Sequence, residues 1–415
     1  MNETIQRVEK HIIKPSDSYF TLLMDFCRKS KNLYNHANFI IRDEFIKKDR
    51  WISYGELDKI LKADTEYTDY MNMPCAQSAQ QTLRVLEKNW KSFFKSVKDW
   101  AKHKEKYLGK PKMPRYLPKN GLYPLIMTNQ NCKLRTDPSV GTDLIIFPKT
   151  FKGFTLAPQF IKRDDFRSFQ QVRFIPHKNR IVAEIVYNIK KTVPKADNSR
   201  YIGIDIGINN LATVCNNVGL PAFVINGKPI KSVNQFYNKT VSHYREIAKR
   251  MNNRDYSKRM DNLTEKRNFR IDDYLHKASR YVVDYCVEND INTIVIGKND
   301  EWKQNSGLSK RINQSFVGLP FAKLIEMIQY KAEERGIAVI LTEESYTSGT
   351  SFTDNEEPVK ENYNKARRIH RGLFKSNNGT IINADLNGAY QILKKVFPIK
   401  WDSGCALHPT VVNMA

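Results

Sequence analysis

Tyr201-Ile202-Gly203-Ile204-Asp205-Ile206-Gly207-Ile208-Asn209 is the stretch whose reading decides the fold. Its apolar run predicts a strand, and Asp205 in the middle of that strand is costly, because an unpaired buried carboxylate loses its hydration. A cation bound by the carboxylate would account for the cost, since hard divalent ions take carboxylate oxygens. Hydrogen bonds from neighbouring backbone are the alternative. The flanking glycines leave room for something to approach the backbone.

Working outward, residues 211–216 and 222–226 read as two further strands, joined by short turns containing Asn and Gly. A long polar helical segment over 233–289 follows, with a break expected near Asn252-Asn253. Residues 291–296 and 337–342 read as buried strands. Between them lies a helix over 321–335, with Leu324, Ile325, Ile328 and Ala332 on one face and Gly336 as its stop. A last helix is expected over 384–396. Two strands that enclose a helix become parallel neighbours through a right-handed crossover. The order of three antiparallel strands, helix, strand, helix, strand, helix resembles the RNase H-like fold.

A second acid stands in Ile381-Ile382-Asn383-Ala384-Asp385-Leu386-Asn387-Gly388-Ala389-Tyr390. Asp385 opens the last helix, whose apolar face is Ala389, Ile392, Leu393 and Val396. A first-turn Asp is an ordinary cap or dipole partner. In a fold of this kind, however, the last helix leans on the first strand, and Asp385 and Asp205 would share one site. Two-metal phosphodiester hydrolysis needs three or four carboxylates around ions ~4 Å apart. The usual third position follows the fourth strand, but Gly297-Lys298-Asn299-Asp300-Glu301 has no acid directly after the apolar run. The fifth strand ends in Thr342-Glu343-Glu344-Ser345-Tyr346, and strands ~4.8 Å apart would let a Glu there reach the same centre. Strand alternation allows only one of the pair to face it. We take Glu344 first, Glu343 next and Glu301 third, against solvated loop charge. Arg367, Arg368, His370 and Arg371 either contact the scissile phosphate or form a basic surface turn.

The front half differs in character. A helical pattern runs over 19–100, and short strands with turns run over 113–192, including a hairpin at Lys178-Asn179. The strands suggest a small barrel or sandwich, with a domain boundary at 194–199. A formal net charge of +24 on 415 residues calls for a polyanionic partner, and nucleic acid leads because neutralised phosphates release counterions. Basic residues cluster over 88–115 among Trp90, Phe93, Phe94, Trp100 and Tyr107. Such a mixture suits phosphate gripping and base stacking, although Trp90, Phe93 and Phe94 fit better as a helix's buried stripe. The six cysteines are isolated, which excludes a cysteine zinc ribbon and fits free thiols in a reducing cytoplasm. Residues 1–14 do not read as a signal peptide, and no apolar run is long enough to span a membrane.

The motifs Gly203-Ile204-Asp205-Ile206-Gly207, residues 297–304 (G-K-N-D-E-W-K-Q), Glu344-Ser345-Tyr346-Thr347-Ser348 and Asn383-Ala384-Asp385-Leu386-Asn387-Gly388-Ala389 together resemble the TnpB family. Trp90-Lys91-Ser92-Phe93-Phe94 and Gly109-Lys110-Pro111-Lys112 are similar to it too. These are RNA-guided RuvC nucleases of bacterial insertion sequences, related to type V CRISPR effectors. The resemblance implies an α/β protein with an RNase H-like (RuvC) nuclease domain over 200–415. It implies a wedge-type β-barrel over 1–18 and 110–195, carrying a helical recognition insertion over 19–109. Asp205, Glu344 and Asp385 would be the catalytic, Mg²⁺-binding residues, with Mn²⁺ as the substitute ion. Lys91, Lys95, Lys110, Lys112, Arg115, Arg368 and Arg371 would hold nucleic acid. The implied partners are a guide RNA from the element's end and double-stranded target DNA with a short flanking motif, in the bacterial cytoplasm at the nucleoid. Base pairing would read the sequence while protein reads shape and flanking motif. Two departures stand out. Ser351 takes the place of the first cysteine of the zinc finger many relatives carry, so no zinc is expected. The acid after the fourth strand is missing, as in relatives where it has moved to the later strand. A guided repressor without cleavage, and an unguided transposase or resolvase, are the competing readings.

Overall fold

The computed structural model describes residues 4–137, 141–298, 318–370 and 372–414. The chain divides into two units, Met1–Lys191 and Thr192–Ala415.

In the first unit, β1 (Thr4–Ile13) precedes three helices: α1 (Phe20–Lys48), α2 (Tyr54–Ala63) and α3 (Ala76–Lys102). Ala79, Leu83, Leu86 and Trp90 recur at helical spacing along α3 and are buried. Trp90 is fully buried among Phe45, Phe93 and Phe94, and its indole N–H donates to Asn38 Oδ1 at 3.0 Å. These aromatics therefore form the core of the helices, and Lys91 and Lys95 lie on the exposed side of α3. Then come β2 (Leu125–Thr128), β3 (Lys133–Asp137), β4 (Thr142–Ile146), β5 (Thr155–Leu156), β6 (Phe166–His177) and β7 (Arg180–Lys190). The hairpin between β6 and β7 turns at Lys178-Asn179, from His177 opposite Arg180. The resemblance groups residues 1–18 with the strands of 110–195, although no strand pattern is read there; β1 pairs with β7 from Thr4 opposite Lys190 to Ile13 opposite Ile181. Among the described residues the hydrogen bonds build two antiparallel sheets, β1-β7-β6-β2 and β3-β4-β5, and no single closed ring. Helices and strands share one hydrophobic core, so α1 and α3 cover a sheet face that a closed barrel would otherwise bury internally.

The second unit opens with β8 (Tyr201–Asp205), β9 (Asn210–Asn216) and β10 (Phe223–Asn226), an antiparallel meander. Helices α4 (Lys228–Asn252) and α5 (Lys258–Glu288) follow, separated where Asn253 takes a left-handed φ of 48° that ends α4. Then come β11 (Thr293–Gly297), α6 (Phe321–Glu334) and β12 (Ala338–Thr342), with β11 parallel to both β8 and β12. The hairpin β13 (Leu373–Lys375) and β14 (Ile381–Asn383) leads into α7 (Ala384–Lys394), and β15 (Thr410–Val412) lies parallel to β10. The sheet order is β12-β11-β8-β9-β10-β15. Neither the β13–β14 hairpin nor β15 was expected, because three-residue strands carry too little periodicity to read.

Alternation sorts the two faces of this sheet. Ile202, Ile204, Val214, Ile294 and Ile296 pack in one core with residues of α5 and α6. Cys215 and Val295 join Leu386, Ala389 and Leu393 of α7 in another. Helix α7 comes unusually close to β8. A Cβ at Gly203 would stand 2.6 Å from the carbonyl oxygen of Ala389 and 2.8 Å from the Cβ of Leu393. The room beside Gly203 thus belongs to the last helix and not to a ligand. No helix among the described residues is long and apolar enough to cross a membrane.

Gly203→Ala should force α7 off β8 and cost about 1–3 kcal/mol, the usual scale of overpacking. A urea midpoint that does not fall would refute the close helix–strand contact.

Candidate active site

The approach of α7 to β8 also shapes what surrounds Asp205, the last residue of β8. Gly388 faces it: a Cβ there would stand 3.0 Å from Asp205 Oδ2. Asp385, three residues earlier in α7, falls on the same helix face. Asn383 caps the helix, its Oδ1 accepting from the backbone N–H groups of Asp385 at 3.1 Å and Leu386 at 3.0 Å. The Asp385 carboxylate accepts from Asn210 Nδ2 at 2.6 Å and from an Arg368 Nη at 2.9 Å. It is thus tied to β9 and to the loop before β13.

Glu344 reaches the same cavity from β12. The register sets Gly297, the last residue of β11, beside Thr342. Two residues on, Glu344 Oε2 lies 3.3 Å from where a Cβ of Gly297 would be. Ile392, whose Cδ1 lies 2.5 Å from the same position, fills most of that space, and the Glu344 carboxylate stands beside it. Thr347 braces this turn by donating its hydroxyl to the Glu344 carbonyl at 2.8 Å. Glu343 points elsewhere, exposed and 3.4 Å from Lys395 Nζ.

Asp205, Asn210, Thr213, Glu344, Arg368 and Asp385 line one cavity of about 230 Å³. Burial pushes the Asp205 carboxyl well above the usual carboxylate range; the neighbouring charges of Asp385 and Glu344 push it further, and Arg368 opposes them. Among the described residues, no three Asp, Glu, His or Cys side chains are drawn close enough to enclose an ion as they stand. The chemistry of the set nevertheless fits a hard divalent cation. Three carboxylates border one small cavity, their mutual repulsion raises Asp205, and one guanidinium offsets only part of the charge.

Arg368 sits on a loop knit by polar contacts. Glu356 accepts from the Ser351 backbone N–H at 2.8 Å and from Arg367 at 2.6 Å, and Asp354 accepts from the Asn377 N–H at 2.7 Å. Asn387 of α7 pins the start of the loop, donating to Thr350 O at 2.8 Å and accepting from Phe352 N at 3.0 Å. Arg371, Glu301 and residues 299–304 lie outside the described residues. Of the remaining basic candidates, Lys91 pairs with Glu87 at 3.1 Å, and Lys110 lies over the Trp100 ring. Lys95, Lys112 and Arg115 are exposed.

Sequence reasoning passed over Asn210 and Thr213, because their part depends on which strand faces α7. It also passed over a second cavity, of about 340 Å³, inside the first unit. Gln77, Gln80 and Gln81 of α3, Gln6 of β1, and Gln170 and Gln171 of β6 border it, with Arg84 beside them and no carboxylate in its lining. The Gln77–Gln81 run was visible, but the strand residues that complete the lining were not.

A family described as OrfB_IS605, probable transposase, matches residues 184–303, and the Cas12f1-like TNB domain matches residues 321–392. The CRISPR-associated endodeoxyribonuclease Cas12f1 of Sulfoacidibacillus thermotolerans is 26% identical over 249 residues, 58% of this chain and 56% of that protein. The TnpB-like protein ORF457 of Acidianus two-tailed virus is 25% identical over 210 residues, 49% of this chain and 43% of that one. The matches thus span about half the length of these curated relatives. In structure the chain is similar to Cas12f1 in a complex with sgRNA and target DNA. That match has a TM-score of 0.57 and 15% identity, covering 89% of this chain and 82% of that one. It is also similar to the mini-RNA-guided endonuclease CRISPR-Cas_phi3, with a TM-score of 0.52 and 10% identity, covering 98% of this chain and 94% of that one. At these identities the likeness shows a shared mixed α/β fold.

Because the folded state raises the pKa of Asp205, it binds more protons than the unfolded chain between the usual carboxylate value and the raised one. Stability without divalent ions should therefore fall as pH rises through that window. Asp205→Asn should lose this slope and melt a few degrees higher at neutral pH in chelator, reflecting about 1–3 kcal/mol of relieved burial. Melting curves across pH check this, and an Asn variant that melts lower than the parent contradicts the electrostatic account.

Proposed function

We propose that this chain, which belongs to the TnpB family, is an RNA-guided DNA endonuclease encoded by a transposable element. The observation that carries the proposal is the convergence of Asp205, Glu344 and Asp385 on one cavity from β8, the end of β12 and the start of α7. Those three residues would hold Mg²⁺, with Mn²⁺ able to substitute. Bound there, such an ion polarises a phosphoryl oxygen and lowers the pKa of water.

The chain's own residues supply the rest. Asn210 and Arg368 fix the orientation of the Asp385 carboxylate. Arg368 is 40% exposed, so its guanidinium has unused donors for a phosphate at the cavity mouth. Glu344 stands in for the acid missing after β11. The excess positive charge favours a guide RNA and target DNA as partners, with Lys91, Lys95, Lys110, Lys112 and Arg115 as phosphate contacts. Arg371 belongs to the same proposal by sequence alone.

The glutamine-lined cavity suits a different task. Amide side chains offer a donor and an acceptor side by side, the pattern that matches an adenine edge in the major groove, and Arg84 can pair with guanine. Lacking carboxylates, the cavity would not repel nearby phosphates. We assign to it the reading of the short duplex motif beside the target.

Cleavage of a matched target by the RNA-bound protein should require Mg²⁺ and disappear in Asp205→Ala. Glu344→Gln should lower the rate at least a hundredfold, with Glu343→Gln close to the parent. Tight target binding with no cleavage in Mg²⁺ would favour a guided repressor, and cleavage that survives loss of RNA would favour an unguided enzyme. Gln81→Ala and Arg84→Ala, assayed on targets with a randomised flank, should change the preferred flank while leaving guide RNA bound. An unchanged flank in both removes the cavity from motif reading.

A further inference from the structure

Thr213 lies in β9 directly across the strand pair from Asp205. Cross-strand partners share a sheet face, with their Cβ atoms about 5 Å apart. The next residue on that face, Cys215, is also the one that Gly203 would meet, so Thr213 and Asp205 both face α7. Thr213 is fully buried in a run of apolar neighbours, Leu211, Ala212 and Val214. Its methyl group suits that place. Its hydroxyl does not: Oγ1 is buried, and no hydrogen-bond partner among the described residues reaches it.

A buried hydroxyl without a partner costs free energy, and valine would fill the same volume without that cost. Thr213 borders the cavity shared by Asp205, Glu344 and Asp385. A space of about 230 Å³ with polar walls has room for several waters. Asp205, an acceptor, and Thr213, both donor and acceptor, can bracket one such water from adjacent strands.

We propose that Thr213 is a positioning residue: its hydroxyl holds a water against Asp205 inside the carboxylate cavity, and so sets where that water stands relative to a bound ion and the scissile phosphate. This rests on the nuclease reading above and names a group within it that the carboxylate pattern does not supply. By contrast, Thr82 satisfies its hydroxyl with Ser78 O at 3.1 Å and Thr347 with Glu344 O at 2.8 Å.

The test compares Thr213→Val and Thr213→Ser with the parent as RNA-bound complexes. Three readings are taken: melting temperature in EDTA, the rise in melting temperature on adding Mg²⁺, and single-turnover cleavage at saturating target. Thr213→Val should melt in EDTA at the parent temperature or above. It should lose at least half of the Mg²⁺-induced rise and cleave at least tenfold more slowly, with target binding unchanged. Thr213→Ser should recover both the rise and the rate. If Thr213→Val instead melts lower in EDTA and keeps the full Mg²⁺ response, the hydroxyl is structural and the proposal is overturned. Equal Mg²⁺ response and equal rate in Thr213→Val overturn it as well. A parent complex that binds target but cleaves nothing would defeat the nuclease reading alone. The Mg²⁺ response of the two variants would still decide the role of Thr213.

Discussion

The second unit depends on how closely its last helix lies against its first strand. Helix and sheet layers normally keep about 10 Å between them, yet here the carbonyl of Ala389 reaches the position that a side chain on Gly203 would fill. Gly388 makes the matching concession on the helix, leaving space for the Asp205 carboxylate. Two missing side chains, 185 positions apart, bring a strand-end acid and a helix-start acid to one cavity. The apolar packing of Leu386, Ala389 and Leu393 on Cys215 and Val295 holds the arrangement together.

That packing works against electrostatics. Gathering Asp205, Glu344 and Asp385 in a partly buried place drives up the proton affinity of Asp205. Arg368 and Asn210 offset some of the strain at Asp385, and Arg368 also favours the ionised Asp205. The remainder is an unfavourable local charge that the surrounding core tolerates. Strain of this kind is expected where a fold is bent to a chemical purpose. Because β11 and β12 are parallel and in register, an acid two residues past the end of one strand can stand over the glycine that ends the other.

The two cavities contrast in charge. The one bordered by Asp205, Glu344 and Asp385 is walled by acids, and the one bordered by Gln77, Gln80 and Gln81 by amides. Both belong to a chain with 68 basic residues against 44 acidic ones. Exposed lysines attract a polyanion without regard to its sequence. Neutral amides offer directional hydrogen bonds without long-range pull.

Much of this was legible in the linear chain. Apolar periodicity located β8 to β12, α6 and α7, because a residue's face within its own element is a local property. The parallel pairing of β11 with β12 followed from the chirality of crossover connections. Asp205 announced itself as a carboxylate in an apolar strand, and Trp90 as the core of a helix. What the chain alone could not say was which groups from distant elements would meet. The register of β1 against β7, the parallel edge strand β15, the outward turn of Glu343 to Lys395, and the places of Asn210 and Thr213 beside Asp385 and Asp205 all required the tertiary structure. Each depends on packing between segments up to about 190 residues apart. Such neighbours leave no mark on the local pattern of either segment.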